Sequence, residues 1–363
     1  MYIKNIKLEN YRNYRELEIN FDEKVNIILG ENAQGKTNLL ESIYLASMGK
    51  SFRTSKDKEL IKFDAEMCRI KADYSKYDDD GTVEIAISSE GKKGIKVDGV
   101  NVKRIADLME NILTVIFSPE DLKIIKEEPG KRRTFIDREL CQLKISYFDN
   151  LKNYKKVLQQ RNTYLKENRI EDAFLEVYNM QLASYGAKVI SERKEFIKKL
   201  NEISKEIHRN ITNGREEIEI RYLSDIPIED DIKSIENNLY NALKKSEKQD
   251  KYLRNTSRGP HKDDMKIMIN KIDARKYGSQ GQQRTAALSL KLAEIILIKE
   301  EKEESPILLL DDVMSELDNE RQKFLVNSLK DVQIFLTTTE LHDEVKNSLP
   351  EGKIINVEKG VIL

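Results

Sequence analysis

The sequence predicts an α/β protein in which a head with mixed sheets is interrupted by an inserted, largely helical second lobe. Residues 1–117 read mainly as strands, residues 119–250 show helical periodicity, and strand character returns after Met265. We therefore assign residues 1–118 and 251–363 to the head and residues 119–250 to the second lobe. An independent helical middle domain is the alternative to an insertion.

The individual elements follow from the spacing of apolar residues. Residues 3–8 and 17–21 alternate with polar neighbours, as half-buried strands do. Residues 25–29 and 307–310 are more continuously apolar, which is typical of buried central strands. In the second lobe, apolar residues from Phe196 to Ile207 are spaced four, three and four apart, which predicts one buried helix face.

Composition excludes several classes of protein. Lys and Arg number 63 and Asp and Glu number 64, so a formal net charge of −1 argues against a wholly basic DNA-coating protein. The longest apolar run, 112–117, is far shorter than the roughly 18 residues of a membrane span. The two cysteines indicate no disulfide framework, and the three scattered histidines indicate no zinc site. We expect a soluble, cytoplasmic protein with no membrane partner.

A phosphate-binding loop is predicted between an apolar strand and a helix, where the sequence matches G-x-x-x-x-G-K-[ST]. In this context backbone N–H groups and the helix N-terminus cradle phosphates. Lys36 is expected to reach the β- and γ-phosphates, and Thr37 to ligate Mg²⁺. The predicted ligands are therefore ATP and Mg²⁺. The ATP-binding residues are Gly30, Glu31, Asn32, Ala33, Gln34, Gly35, Lys36, Thr37 and Asn38.

Two carboxylates follow the apolar residues 307–310 and complete the predicted site. Beside a phosphate cradle, Asp311 is expected to hold Mg²⁺ through water, together with Thr37. Asp312 is expected to orient or deprotonate the attacking water, so Asp312 and Lys36 are the catalytic candidates. Alone the pattern is weak, because many buried strands end in Asp as a turn residue. The nearby cradle gives it weight.

A second anion-receptive segment precedes a long apolar helix. It consists of Ser279, Gln280, Gly281 and Gln282, and it is close to the Ser-Gly-Gly-Gln signature of ABC-type ATPases, with Gln280 at the first glycine position. Because one chain already has a cradle, we expect this segment to cap the γ-phosphate bound by a partner chain. Taken alone, it could be a polar turn and helix cap. Ser315 and Asp318 follow where such enzymes place their D-loop.

These elements, in this order, resemble the RecF family of the SMC-like branch of ABC ATPases over nearly the whole chain. The implied fold is an ABC-type P-loop ATPase head with an inserted second lobe, which is too short for the coiled-coil arms of SMC proteins. Asp311 and Asp312 stand where ABC-type ATPases usually have Asp-Glu. The RecF family shares this pair of aspartates, which suggests slow hydrolysis of ATP. The resemblance rests also on residues 10–14, 117–122, 131–137 and 258–264.

The resemblance implies an ATP-dependent homodimer that binds duplex and gapped DNA. It implies help for RecO and RecR in loading RecA onto single-stranded DNA, in the recombinational repair of DNA damage, the SOS response and replication restart. A weak, DNA-stimulated ATPase would act as a switch, with Arg12 contacting phosphate. Basic residues that could touch DNA phosphates are Lys131, Arg132, Arg133, Arg53 and Lys56, although solvated surface explains these cations equally well.

Two other classes of protein remain as rivals. An ATP-driven transporter subunit, the alternative function, would predict a coupling groove for a membrane protein and a Q-loop glutamine, but no Gln stands at 118–120. A nuclease or helicase would need further motifs or a larger carboxylate cluster. The position of the switch histidine is occupied by residues 337–339, all Thr, and His342 stays unassigned.

Overall fold

The computed structural model describes residues 1–77, 79–329, 331–340 and 350–363, and the chain divides into two compact units. The first unit comprises Met1–Asp121 and Leu290–Leu363, and the second unit comprises Leu122–Ser289. The second unit therefore takes in residues 251–289, which the sequence analysis assigned to the head. Among the described helices, none combines the length and the apolar character that crossing a membrane requires.

An antiparallel sheet of six strands forms one part of the first unit. Its strands are β1 (Tyr2–Tyr11), β2 (Tyr14–Asn20), β4 (Met67–Lys76), β5 (Asp79–Ser88), β6 (Lys93–Val97) and β7 (Val100–Asn101), in the order β2-β1-β4-β5-β6-β7. On β1 the side chains of Ile3, Ile6 and Leu8 are buried. The step from Ile3 to Ile6 breaks the period of two, and a register shift between Ile3 and Asn5 accounts for it.

The second sheet of this unit contains the predicted central strands. Its members are β3 (Val25–Leu29), β8 (Thr114–Phe117), β12 (Ile307–Asp311), β13 (Ile334–Thr338), β14 (Lys353–Glu358) and β15 (Val361–Ile362), in the order β15-β14-β3-β13-β12-β8. All neighbours are parallel except β14 and β15. Since parallel strands end at the same edge, the residues after β3, β12 and β13 come together.

A helix of the first unit packs against strands of both of its sheets. Helix α1 (Lys36–Met48) contacts β12 and β13 of the parallel sheet and β4 and β5 of the antiparallel sheet. Nearly all of its residues are buried, which explains why its apolar residues do not form a single stripe. The unit also contains α2 (Ile105–Met109), α10 (Asn319–Asn327) and the C-terminal part of α9 (Gln280–Lys302).

The second unit is mostly helical, as predicted, with a small antiparallel sheet. Its sheet, β11-β10-β9, consists of β9 (Ile218–Leu223), β10 (Asp264–Ile269) and β11 (Ile272–Asp273). Strand β10 pairs with β9 from Asp264–Leu223 to Ile269–Ile218, which is why the chain after residue 250 belongs to this unit. The helices are α3 (Leu122–Lys126), α4 (Pro129–Leu143), α5 (Ile145–Tyr164), α6 (Asp172–Ile211), α7 (Ile232–Leu253) and α8 (Ala274–Tyr277).

A buried ion pair ties α5 to α7. Neither Arg161 nor Asp250 has side-chain exposure, and Arg161 Nη1 donates to Asp250 Oδ2 at 2.8 Å and to Thr256 Oγ1 at 2.8 Å. Arg161 Nε also donates to Asn179 Oδ1 on α6 at 3.0 Å. The other Asp250 oxygen accepts from the N–H of Ser257 at 3.0 Å and from its hydroxyl at 2.6 Å. Both charges are desolvated, so each depends on the other for compensation.

We expect Asp250→Ala to lower the free energy of unfolding of the second unit by about 3–5 kcal/mol, because Arg161 then stays buried without its carboxylate. The double variant Arg161→Met/Asp250→Ala should lose less than the sum of the two single losses. Chemical denaturation followed by circular dichroism of the helices measures both quantities. Strictly additive losses would show that the two side chains are not energetically coupled.

Candidate nucleotide-binding site

The loop 30–35 lies between β3 and α1, as the motif predicts, and it is held by the turn between β1 and β2. Gly35 has a φ of +120°, and a Cβ there would lie 2.6 Å from Asn13 Nδ2 and 3.0 Å from Tyr14 Oη. Asn13 Nδ2 donates to Gln34 O at 2.9 Å, and the Tyr14 hydroxyl donates to Gly35 O at 3.0 Å. Only glycine at position 35 permits this close approach.

Lys36 is the first residue of α1, and its ammonium lies inside the loop. Nζ donates to the carbonyl oxygens of Gly30 and Glu31, the latter at 2.9 Å, and the residue is only 7% exposed. Burial lowers the pKa of Lys36, while the charges of Asp312 and Asp311 act to raise it. An anion bound in the loop would offer this partly desolvated cation stronger partners than two neutral carbonyl groups.

The end of β12 meets the start of α1 at the same edge of the sheet. Thr37 Oγ1 donates to Asp311 Oδ1 at 2.8 Å, and Thr337 Oγ1 on β13 donates to the same oxygen at 3.0 Å. Burial raises the pKa of Asp311, and the two hydroxyl groups oppose that shift. A hydroxyl beside a carboxylate is an oxygen donor set that suits Mg²⁺. Within the described residues no three His, Cys, Asp or Glu side chains cluster as a metal site, so a metal here would need further ligands from water or phosphate.

Asp312 leaves the strand with an uncommon backbone conformation, a φ of +54°. Its N–H donates to Thr337 Oγ1 at 3.0 Å, and its carbonyl oxygen accepts from the Ser315 hydroxyl at 2.8 Å. Thr337 thus contacts both predicted acidic residues from the position that the sequence analysis noted for a switch histidine, whereas His342 lies outside the described residues. Of the D-loop candidates, Ser315 is exposed, and the Asp318 side chain accepts from Arg321 N–H at the start of α10, at 3.0 Å.

Arg12 is engaged by a carboxylate that the sequence analysis missed. Its Nε and Nη2 donate to the two oxygens of Glu41 at 2.8 and 2.7 Å, and Nη1 donates to Glu59 O at 2.7 Å. The Glu41 side chain is fully buried and also accepts from the Tyr11 hydroxyl at 3.1 Å. The sign of this contact in the sequence was Glu41 itself, a carboxylate that stands within the apolar sequence of α1. Contact between Arg12 and a phosphate would therefore compete with Glu41.

The structure corrects the prediction for Arg132 as a residue that touches DNA. Arg132 is 3% exposed, and its Nε and Nη2 pair with the Asp264 carboxylate at 2.6 and 3.0 Å. Its Nη1 donates to Glu127 O at 2.7 Å, so all three nitrogens are used within the second unit. Arg133 is partly exposed and donates to Asp263 O at 2.7 Å, whereas Lys131 is exposed.

The two predicted cations in the first unit differ in their surroundings. Arg53 belongs to the network around the cradle, because its Nη1 donates to Asn38 Oδ1 at 2.7 Å and lies 3.6 Å from Glu41 Oε2. Lys56 is largely exposed, with its Nζ 3.4 Å from Glu59 Oε1. Surface pairs of this kind contribute little to stability, so the Lys56 ammonium is available to another partner.

The signature segment lies in the second unit, at the start of α9. Ser279 Oγ accepts from Gln282 N–H at 3.2 Å, and Gln282 Oε1 accepts from Ser279 N–H at 2.9 Å. This reciprocal pair is a capping box, so the helix-cap interpretation is confirmed as a local role of the segment. Ser279 and Gln280 are both exposed, and a contact with a partner chain stays a prediction.

Comparison with known proteins agrees with the resemblance described above. The family model described as the RecF/RecN/SMC N terminal domain matches residues 2–359. The DNA replication and repair protein RecF of Clostridioides difficile (strain 630) is 46% identical over 99% of this chain and 100% of that protein. The protein of that name from Clostridium tetani (strain Massachusetts / E88) is 48% identical over 99% of each chain.

Solved structures give the same result. A structure of the recombination mediator protein RecF-ATP in the RecFOR pathway has a TM-score of 0.93 at 41% identity, over 100% of this chain and 97% of that chain. The Smc head bound to the C-winged helix domain of ScpA has a TM-score of 0.57 at 16% identity, over 100% of this chain and 96% of that one, and shows the fold alone. The predicted ABC-type ATPase head is therefore confirmed as the fold. The chain belongs to the RecF family of DNA replication and repair proteins.

Proposed function

We propose that this protein is an ATP-dependent switch that binds DNA as a dimer during recombinational repair and replication restart. The observation that carries the proposal is the meeting of the loop 30–35, the Lys36 ammonium and the Thr37–Asp311 pair at one edge of the parallel sheet. The similar structure solved as RecF-ATP supports ATP as the nucleotide.

The proposed site works through the exchange of internal partners for phosphate. The Lys36 ammonium would give up the carbonyl groups of Gly30 and Glu31 for phosphate oxygens. Thr37 and Asp311 would hold Mg²⁺, which when bound neutralises phosphate charge. Asp312 would orient or deprotonate the attacking water.

Dimerisation would follow from a contact between Ser279 of one chain and the nucleotide that the other chain holds. Ser279 Oγ accepts from Gln282 N–H, and a hydroxyl that accepts in this way still has a proton to donate. In the proposed dimer, Ser279–Gln282 of one chain caps the γ-phosphate held by the other, and Ser315 and Asp318 lie near the same interface. Symmetry then places two nucleotides between the two chains.

The partners beyond ATP are proposed from the family. Duplex and gapped DNA would contact exposed cations, of which Lys131, Arg133 and Lys56 keep accessible side chains. Cooperation with RecO and RecR in loading RecA is supported by the similar structure described as a recombination mediator in the RecFOR pathway. DNA binding and mass measured with ATP, with ADP and without nucleotide test the switch as a whole.

Lys36→Met is expected to abolish ATP binding and ATP-stimulated DNA binding, because the phosphates lose their main side-chain cation. Calorimetric titration with ATP measures the affinity, and circular dichroism verifies that the variant is folded. Lys92→Met, at a side chain that is 84% exposed, is the matched control and should bind ATP normally. Normal ATP affinity in folded Lys36→Met would show that the loop 30–35 and Lys36 do not bind the phosphates of ATP.

Asp312→Asn is expected to preserve ATP binding and dimerisation but to slow hydrolysis by about 10²–10⁴-fold, because the attacking water loses its carboxylate. Phosphate release measured at saturating ATP gives the rate. Asp331→Asn changes a carboxylate whose side chain is 78% exposed and should leave the rate unchanged. Wild-type turnover in Asp312→Asn would assign the catalytic role to another residue.

Ser279→Arg is expected to separate ATP binding from ATP-driven dimerisation. The bulky side chain would block the γ-phosphate bound by the partner chain. The loop 30–35 and Lys36 lie in the first unit and are unchanged in this variant, so ATP binding should persist. Light scattering with and without ATP, beside a nucleotide titration, measures both properties, and DNA affinity at saturating ATP should fall with the dimer. Persistent ATP-dependent dimers, or loss of ATP binding as complete as in Lys36→Met, would contradict the trans contact.

A further inference from the structure

A series of side-chain contacts in the second unit ends at Ser279, the first residue of the signature segment 279–282. The turn that this segment forms at the start of α9 is called the signature turn below. Gln282 Oε1 accepts from Ser279 N–H at 2.9 Å, and Gln282 Nε2 donates to Glu216 Oε1 at 3.0 Å. The two ends of one carboxamide are therefore bonded to different partners. A flip of the amide would place like groups against each other at both ends, so Glu216 determines which end of Gln282 faces Ser279.

The fold holds Glu216 in the place where it meets Gln282. The chain reverses after α6 through Asn213 and Gly214, with φ values of +51° and +74°. Glu217 N–H then donates to Asn270 Oδ1 at 2.9 Å, and Asn270 N–H donates to Glu217 O at 2.8 Å, which fixes the loop to the end of β10. The turn thereby places Glu216 beside α6, the helix that precedes it.

His208 of α6 lies beside the other oxygen of the same carboxylate. Its side chain has no exposure, and its Nε2 lies 3.4 Å from Glu216 Oε2. Its Nδ1 lies 3.0 Å from the hydroxyl of Ser289, which itself donates to Thr285 O at 2.8 Å. The Ser289 oxygen is therefore left to accept, and His208 Nδ1 donates. This bond holds the imidazole of α6 against α9, with its Nε2 facing Glu216.

We propose that Glu216 is a positioning residue for the signature turn, although it lies outside the signature sequence. It orients Gln282, Gln282 holds the backbone of Ser279, and the Ser279 hydroxyl is thereby kept ready for the nucleotide of a partner chain. The inference rests on the proposed function, because it concerns the same contact between chains. It adds that the end of the long helix α6 and the signature turn are connected through one carboxylate.

Four variants test this role. Glu216→Ala removes the acceptor. Gln282→Glu keeps an acceptor for Ser279 N–H but places a second carboxylate against Glu216, and the like charges repel. The swapped pair Glu216→Gln/Gln282→Glu again sets one amide donor against one carboxylate, so it should recover what Gln282→Glu loses. Glu217→Ala is the matched control, because that exposed residue is held through its backbone.

Two measurements on the full chain separate this inference from the proposed function. Hydrogen exchange of the segment 274–284 without nucleotide reports the Ser279 N–H contact, and light scattering with ATP reports dimerisation. We expect Glu216→Ala and Gln282→Glu to speed exchange and to weaken ATP-driven dimerisation by about tenfold, the order expected for losing a hydrogen bond to a charged group. The swapped pair should recover both properties, and Glu217→Ala should change neither.

Four results would count against the inference, and each has a different meaning. Unchanged exchange in Glu216→Ala would show that Glu216 does not hold the turn. Faster exchange with undiminished dimerisation would show a contact that is only structural. If wild-type protein failed to dimerise with ATP while the exchange rates followed the expected order, the proposed function would fail, and the inference with it. A swapped pair no better than Gln282→Glu would exclude the specific pairing.

Discussion

The parallel register of β3, β13 and β12 is the constraint on which the candidate site depends. Leu336 pairs with Ile27 on one side and with Leu310 on the other, so the three strands end level with one another. The Thr37–Asp311 hydrogen bond consequently joins residues that are 274 positions apart. A slip of one residue would send Asp311 to the opposite face of the sheet, and the loop would lose its carboxylate.

The charges of the site are matched by internal partners of unequal strength. Lys36 is bonded to neutral carbonyls, whereas Arg12 is bonded through two nitrogens to a buried carboxylate. Exchange of carbonyls for phosphate is favourable, but removal of Arg12 would leave the buried Glu41 with the longer contact to Arg53, at 3.6 Å. Lys36 is therefore the better placed of the two for a first contact with an anion, and Arg12 would have to share its guanidinium.

Local patterns allowed the prediction of the strands, of the loop between β3 and α1 and of the acidic pair at the end of β12, because each depends on residues that are close in sequence. Long-range contacts were not predictable in this way. Arg132 looked like a surface cation, but its partner Asp264 lies 132 positions away. The second unit extends past residue 250 because β10 pairs with β9. Glu41 and Glu216 resembled other charged helix and loop residues until the fold supplied their partners.

The backbone at Asp312 gives a physical reason for aspartate at a position where ABC-type enzymes usually have glutamate. A φ of +54° is costly for most side chains, and Asp is among the few non-glycine residues that tolerate it, because its short polar side chain can bond locally. A longer glutamate would fit that conformation less well. The conformation is itself supported by Thr337, which accepts from Asp312 N–H and donates to Asp311. The shorter side chain would give the carboxylate less reach toward a water molecule, in line with the slow hydrolysis that the family resemblance implies. For a protein proposed to act as a switch, slow hydrolysis would prolong the ATP-bound state in which, under the proposal, two chains hold each other.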